Sequence, residues 1–537
     1  MNKEKTDIVV VGSGPAGSVL AARLAEVNGL KITLLEAGPS DNHPFIHIPA
    51  GFIKMIFKSK YIWPFTTIPT ANTGQRPIEV MQGKVVGGSA SINGLIYNRG
   101  LPTDFDHWAE LGNKGWDYQS VLPYFMKSEC FTGTGDNEFH GRDGAGKVSS
   151  NKWIHPVCEA FIDGASELGL KRNNDYNGRV QEGVGYFQRI IHGRRRITPA
   201  MAYLKPALKK HSNLRLETNA QVTKILFEGK RAIGVEYQKG SQTCQLMANK
   251  QIVISAGTVN TPKLLQLSGI GKGIDLQQLG LPVIHDLQGV GSNLRDHYSC
   301  RVVSRLKNIN SINELARGTK LMGQIARWMI GKPSIITLSP SVVHIFAKSK
   351  PELRMPDLQG VFSPASYREG FVGLLDDYPG MTCGFWKHRP KSTGYIKLKS
   401  TNPEDLPLIQ PNYLSEDSDK EVLLAGVKLA RQLVKTGPLQ KYFDLENLPG
   451  KDVQSDDELL HFISQYGVSS WHLIGTAKMG PAEDVNAVVS DRLSVHGIEN
   501  LRIADASVMP TSPSANTYAS CLMIGEKAAD FIKQDLK

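Results

Sequence analysis

Apolar residues fall into two rhythms along this chain. Short unbroken runs at 8–11, 31–36 and 251–256 end at glycine or polar turn residues and predict buried strands. Residues 214–227 alternate apolar and polar. They predict one long half-buried strand, followed by a turn at 228–231 and another strand over 232–237. Further strands are predicted at 301–306, 341–346, 357–362, 381–386 and 394–399, several closed by proline or glycine, which is the pattern of an antiparallel sheet. Helical spacing predicts helices over about 15–27, 417–435, 455–465 and 517–535. Strands alternate with helices early, and strands follow strands later. The expected class is therefore α/β with a second, α+β unit.

The first strand runs straight into a turn of small residues, Gly12-Ser13-Gly14-Pro15-Ala16-Gly17, and nineteen residues further on stands Glu36, followed by Ala37-Gly38. This is the spacing of a dinucleotide site of the Rossmann kind. Gly12 permits the tight turn, Gly14 the approach of a pyrophosphate, and Gly17 close packing of helix on strand. The pyrophosphate then meets free N–H groups at a helix start, and Glu36 accepts from ribose hydroxyls.

Composition narrows the setting. The chain of 537 residues is too long for one core, and 41% hydrophobic content excludes a disordered chain. The net charge of +11 is scattered; its densest runs, 194–196 and 387–391, read as solvated faces rather than a nucleic-acid patch. Six cysteines without a Cys-x-x-Cys pair indicate neither zinc nor a redox dithiol, and no metal is expected. The first seven residues carry no secretory apolar core and no apolar run is long enough for a membrane span, so the expected location is cytoplasmic, with peripheral membrane contact left open.

The glycine loop alone serves NAD or FAD equally. No second such loop occurs downstream, and the Ala37-Gly38 turn after the acid favours FAD as the only dinucleotide. A second segment, 83–100, contains Val86, Gly87, Gly88, Ser89 and Ala90 and then Asn93-Gly94; it is lean enough in side chains for a flat ring system to lie against the backbone, with the Asn93 amide offered to its heteroatoms.

These two segments, the run 255–271 and the carboxy-terminal blocks 469–480 and 503–518 resemble, in order and spacing, the glucose–methanol–choline (GMC) family of flavin oxidoreductases over essentially the whole chain. The resemblance implies a Rossmann-like FAD-binding domain assembled from discontinuous segments, 1–155, 195–298 and 466–537. It also implies a connecting, substrate-side segment at 156–194 and a substrate domain at 299–465 with an antiparallel sheet. It places Val222, Ala256 and Gly257 near the adenosine, Asp505 and Ala506 near the pyrophosphate and ribityl chain, and Trp471 and Thr517 at the flavin. The segment 46–69 covers the adenine or lines the entrance, with Trp63 as a stacking candidate.

The resemblance makes His472 the base that takes the hydroxyl proton while flavin N5 takes a hydride, and Asn516 the partner that orients the substrate oxygen. An asparagine just ahead of a helix also suits an N-cap. An imidazole titrates near neutrality, which suits both uptake and release of a proton. The helix over 517–535 points its positive end at the flavin and stabilises charge developing there. No histidine stands in 88–93, so a noncovalent FAD is expected. No carboxylate stands in 341–346, where a trimethylammonium group would need one, so a neutral primary alcohol, aromatic or medium-chain, is expected rather than choline. His344 is a pocket candidate whose structural reading is the stronger. Two other chemistries use this scaffold: non-redox cyanohydrin cleavage, and fatty-acid photodecarboxylation, for which Cys383 and Arg389 are the relevant residues. A non-catalytic flavin-binding module is disfavoured by the pairing of His472 with Asn516. Oxygen, a quinone or a dye is the expected electron acceptor.

Overall fold

The computed structural model describes residues 4–368 and 373–537. Its first sheet has seven strands. The parallel part runs Leu214–Glu217, Ile32–Leu35, Glu4–Val11, Gln242–Ile254, with Leu501–Ile503 beside the last. The strands Arg231–Lys239 and Gln221–Glu228 extend the sheet antiparallel from Gln242–Ile254. Ile8, Val9 and Val10 have no exposure at all, because both faces of a central parallel strand are covered.

The alternating stretch at 214–227 is not one strand. Asn219, at φ 54°, breaks it, and the halves lie at opposite edges of the sheet. Asparagine tolerates this left-handed conformation better than most residues. Two-residue periodicity runs through such a break unchanged, so the pattern could not show it.

The second sheet is antiparallel, in the order Phe443–Leu448, Tyr298–Leu306, Gly380–Lys387, Leu358–Ser363, Val343–Ala347, Gly183–Tyr186. Val468–Ser469, at the start of the expected third flavin segment, pairs with Tyr298–Leu306 of this sheet. The strand expected at 394–399 does not join it. Tyr395–Lys397 pairs only with Leu408–Gln410, as a separate hairpin. The Asp417–Val434 helix packs its buried Val422, Leu423 and Val427 face on the sheet, where Gly426 meets Phe385.

The first and last helices, Pro15–Ala25 and Tyr518–Asp535, pack so closely that a Cβ on Gly525 would lie 2.7 Å from the Ala16 carbonyl oxygen. Arg23 clamps them with paired hydrogen bonds of 2.9 Å to the buried Glu526 carboxylate. This contact sets the starts of both helices at one cavity.

Candidate active site

One cavity of about 260 Å³ runs from the glycine loop to His472. Gly12, Gly14, Pro15, Ala16, Glu36 and Ala37 line one end; Gly88, Ser89, Asn93 and Gly94 line the middle, with Trp63. Val222, Ala256, Gly257, Asp505 and Ala506 line it further, and Trp471, His472, Asn516 and Thr517 close the other end. Ser13, Gly17 and Val86 lie behind the wall. Val86 instead gives its carbonyl to the Ser91 hydroxyl.

The donors and dipoles here suit a dinucleotide. Three helices begin at the cavity, at Pro15, Gly257 and Tyr518, and each turns its first turn and positive end toward it. Gly12 sits at φ 96°, and a Cβ there would lie 2.4 Å from the Ser255 carbonyl oxygen. Glu36 is held by Ser13 N–H at 2.9 Å, Ser13 O–H at 2.6 Å and Gly38 N–H at 2.8 Å. Burial pushes its pKa up and these donors oppose the shift. Three donors leave such a carboxylate one further acceptor position, available to a ribose hydroxyl.

Asp505 accepts from Gly257 N–H at 2.9 Å, Thr261 O–H at 2.6 Å and Ser507 N–H at 2.8 Å. It thus joins a strand end to a helix start and aligns two walls of the cavity. The Asn93 side-chain oxygen is not free for a ring system. Arg196 donates to it at 2.6 Å, and Leu95 N–H at 3.1 Å. Arg196 is fully buried, unlike the solvated residue its place in the run 194–196 implied, because strand alternation turns it inward while Arg195 faces out. Burial lowers its pKa to about 9, and it also donates to the Ala90 carbonyl, fixing the 88–94 segment.

Trp471 adopts φ 60°, a strained conformation for a bulky residue, held by Ser469 Oγ accepting its N–H at 2.8 Å and by its indole N–H donating 2.9 Å to the Glu79 carbonyl. The kink turns the next side chain, His472, into the cavity. The His472 backbone N–H donates 2.8 Å to Asp296, whose carboxylate also accepts from His297 N–H, Tyr413 O–H and Ser469 O–H. Burial pushes Asp296 up to about 6, and four donors hold it ionised at neutral pH.

A polarised chain of hydrogen bonds crosses the site. Gly100 N–H donates to Asn98 Oδ1 at 3.2 Å, and Asn98 Nδ2 to Gln359 Oε1 at 3.5 Å. Gln359 Nε2 donates to Asn516 Oδ1 at 3.3 Å, and Asn516 Nδ2 to His472 Nε2 at 2.9 Å. His472 Nδ1 then faces His297 Nδ1 at 3.0 Å, and His297 Nε2 meets the His388 carbonyl at 2.7 Å. A backbone N–H at one end and a backbone carbonyl at the other cannot reverse. They assign every group between: His297 carries hydrogen on Nε2, His472 on Nδ1, and His472 Nε2 is unprotonated, its lone pair accepting from Asn516 Nδ2. Burial lowers His472 well below 6.5 and His297 to about 4, so both are neutral.

Asn516 is therefore committed to His472 and Gln359. Thr517 occupies the N-cap position without a side-chain cap. His297, Asp296 and Gln359 were not singled out from sequence; an Asp-His pair at the end of a glycine-rich run was the only signal available. His344 donates to or accepts from nothing in the cavity; it packs among Tyr176, Phe187 and Phe346 and bonds the Asn173 carbonyl. Cys383 is buried in the second sheet, and Arg389 is paired with Asp104 and Ser514.

Two family models match, both described as GMC oxidoreductase, over residues 6–299 and 390–525. The chain is 37% identical to the mitochondrial choline dehydrogenase of Homo sapiens, over 99% of its length and 90% of that protein's. It is 36% identical to the oxygen-dependent choline dehydrogenase of Brucella anthropi, over 98% and 95%. Among solved structures it is similar to pyridoxine 4-oxidase from Mesorbium loti, with a TM-score of 0.89 and 28% identity over 98% of this chain and 99% of that one. An FAD-dependent oxidoreductase from Chaetomium thermophilum gives 0.90 and 27% over 99% of each. The chain belongs to the GMC oxidoreductase family and is an FAD-dependent alcohol oxidoreductase.

Proposed function

We propose that this enzyme oxidises a neutral primary alcohol to its aldehyde, with His472 as the base, Asn516 orienting the substrate, and FAD held noncovalently. The observation that carries the reading is the unprotonated Nε2 of a neutral His472, an acceptor set by the polarised chain and paired with Asn516 Nδ2. A hydroxyl entering between the two side chains replaces their direct hydrogen bond, accepting from Asn516 Nδ2 and donating to His472 Nε2. Its proton passes to Nε2 as the carbonyl forms. FAD, when bound, accepts the hydride from the carbinol carbon. The charge left on His472 spreads through Nδ1–H to His297 Nδ1, and the buried setting favours its early release.

The first sheet with its helices forms the cofactor half and the second sheet the substrate half. The glycine loop, Glu36 and Asp505 would hold the adenosine and pyrophosphate, and the segment 88–94 with Thr517 the flavin. Segment 88–93 offers no histidine for covalent attachment.

A second reading is choline, the substrate named for the human and Brucella anthropi relatives. The groups at the reacting end are His472, Asn516 and Gln359, neutral imidazole and amides. The carboxylate that accepts the His472 backbone N–H, Asp296, is enclosed by four donors. Among the described residues a trimethylammonium group meets no anion among these groups, which favours a neutral substrate.

Anaerobic mixing with a panel of primary alcohols, followed by air, tests the proposal. Bleaching of the flavin with aldehyde formation is expected. Turnover of a cyanohydrin with the flavin still oxidised, or loss of a fatty acid's carboxyl group under light alone, would replace it.

A further inference from the structure

Three stretches of the chain contain no aspartate or glutamate: residues 42–78, 183–216 and 315–351. The fold brings them together. Pro44–His47 packs on Arg195–Arg196, and Pro49–Gly51 on Ile335–Thr337. The Trp328 indole donates 3.1 Å to the Arg194 carbonyl, and the Arg194 guanidinium donates to the Met329 carbonyl.

The outermost element of this face is the helix Gly318–Met329, in which no residue is buried. An amphipathic helix on a globular protein normally turns its apolar stripe to the core. Here it is turned outward. Leu321, Gln324 and Trp328 are half-buried against the protein, while Met322, Ile325, Ala326, Met329 and Ile330, at i, i+3, i+4, i+7 and i+8, are exposed. Met322 is 70% exposed and Ile330 69%, and Phe57 on the neighbouring turn 62%. Among the described residues, six of the seventeen exposed large hydrophobic side chains lie on these three stretches. Between them stand Lys54, Lys58, Lys60, Lys320, Arg327 and Lys332, all exposed and, among the described residues, none in an ion pair.

We propose that this face docks the enzyme on an anionic phospholipid bilayer. Apolar side chains that reach past a ring of cations, on three stretches that themselves carry no acid, match the headgroup boundary of such a surface in both respects. A second copy of this chain is a poor occupant, because a two-fold axis through the helix would set the cations against one another. The face also backs onto the site. Ile46, Met55, Ile56 and Ile62 of the 42–78 stretch pack inward on Met81 and Ile92, which line the cofactor cavity. Docking thereby brings that wall to the bilayer, where apolar alcohols and lipid-soluble electron acceptors concentrate.

The test is flotation of the FAD-loaded enzyme with vesicles of phosphatidylcholine alone or mixed with phosphatidylglycerol. The expected result is co-flotation with the mixed vesicles only, released by high salt. The double variant Ile325→Glu with Met329→Glu should lose it, and the triple variant Lys320→Gln, Arg327→Gln, Lys332→Gln should partition roughly 100-fold less. Both variants should keep their flavin absorbance and their rate of reduction by a water-soluble alcohol, which shows that they are folded. Because that rate is read separately, failure of flotation leaves the assignment of the reaction intact. Wild-type enzyme that stays unbound on the mixed vesicles overturns the proposal. So does flotation of the Ile325→Glu, Met329→Glu variant like wild type, or a dimer that this variant dissociates.

Discussion

His297 Nδ1 and His472 Nδ1 lie 3.0 Å apart, and one hydrogen is shared between two neutral rings. Because His297 gives its other hydrogen to the His388 carbonyl, that shared hydrogen belongs to His472. A residue outside the cavity wall thus decides that the His472 nitrogen beside Asn516, Nε2, carries no hydrogen.

Replacing His297 by phenylalanine keeps a flat aromatic ring, though a larger one, and removes the acceptor. His472 then populates the tautomer with hydrogen on Nε2. Flavin reduction should slow by about 10- to 100-fold, part of the usual worth of a general base, with KM for the alcohol little changed. Stopped-flow reduction beside steady-state kinetics checks this split. An equal loss in KM would make His297 a packing residue.

The pH profile follows from burial. His472 is lowered well below 6.5, so the proposed base is deprotonated at pH 6.5 and above, and the rate should be lost only as pH falls through its depressed pKa. The rate constant for anaerobic reduction should therefore already be on its plateau at pH 6.5. A midpoint at or above 6.5 would contradict the buried, neutral imidazole.

Asp296 holds four donors with one carboxylate, including the backbone N–H of His472. Asp296→Asn turns an NH₂ group toward two of them. The loss should be about 1–3 kcal/mol in stability, read by thermal unfolding, together with slower reduction, because the kink at Trp471 is released.

Substrate choice follows from the neutral amides at the reacting end. Reduction by a neutral primary alcohol of similar size should exceed that by choline by about tenfold or more in kcat/KM, consistent with the modest worth of an exposed cation–π contact set against an absent anion. A preference for choline would assign the relatives' substrate to this enzyme as well.

Much of the cofactor half was legible in the chain because glycine spacing and a buried apolar run are local signals: Gly12, Gly14 and Glu36 meet in the cavity over a span of 25 residues. What depended on single dihedrals or distant contacts was not. The break at Asn219 leaves the alternation of its neighbours intact, and the 394–399 run pairs away from the sheet it was expected to join. Arg196 looked like part of a solvated run, yet its role is to hold Asn93, 103 residues earlier. His297 reaches His472 across 175 residues, a distance no periodicity encodes.

The most direct measurement is anaerobic stopped-flow reduction of His472→Ala by a good alcohol substrate, with FAD content measured on the same sample. The variant should bind FAD with an unchanged visible spectrum and reduce it about 10²- to 10⁴-fold more slowly than the wild-type enzyme. Reduction at the wild-type rate would remove His472 as the base, and with it the account of how this site activates an alcohol.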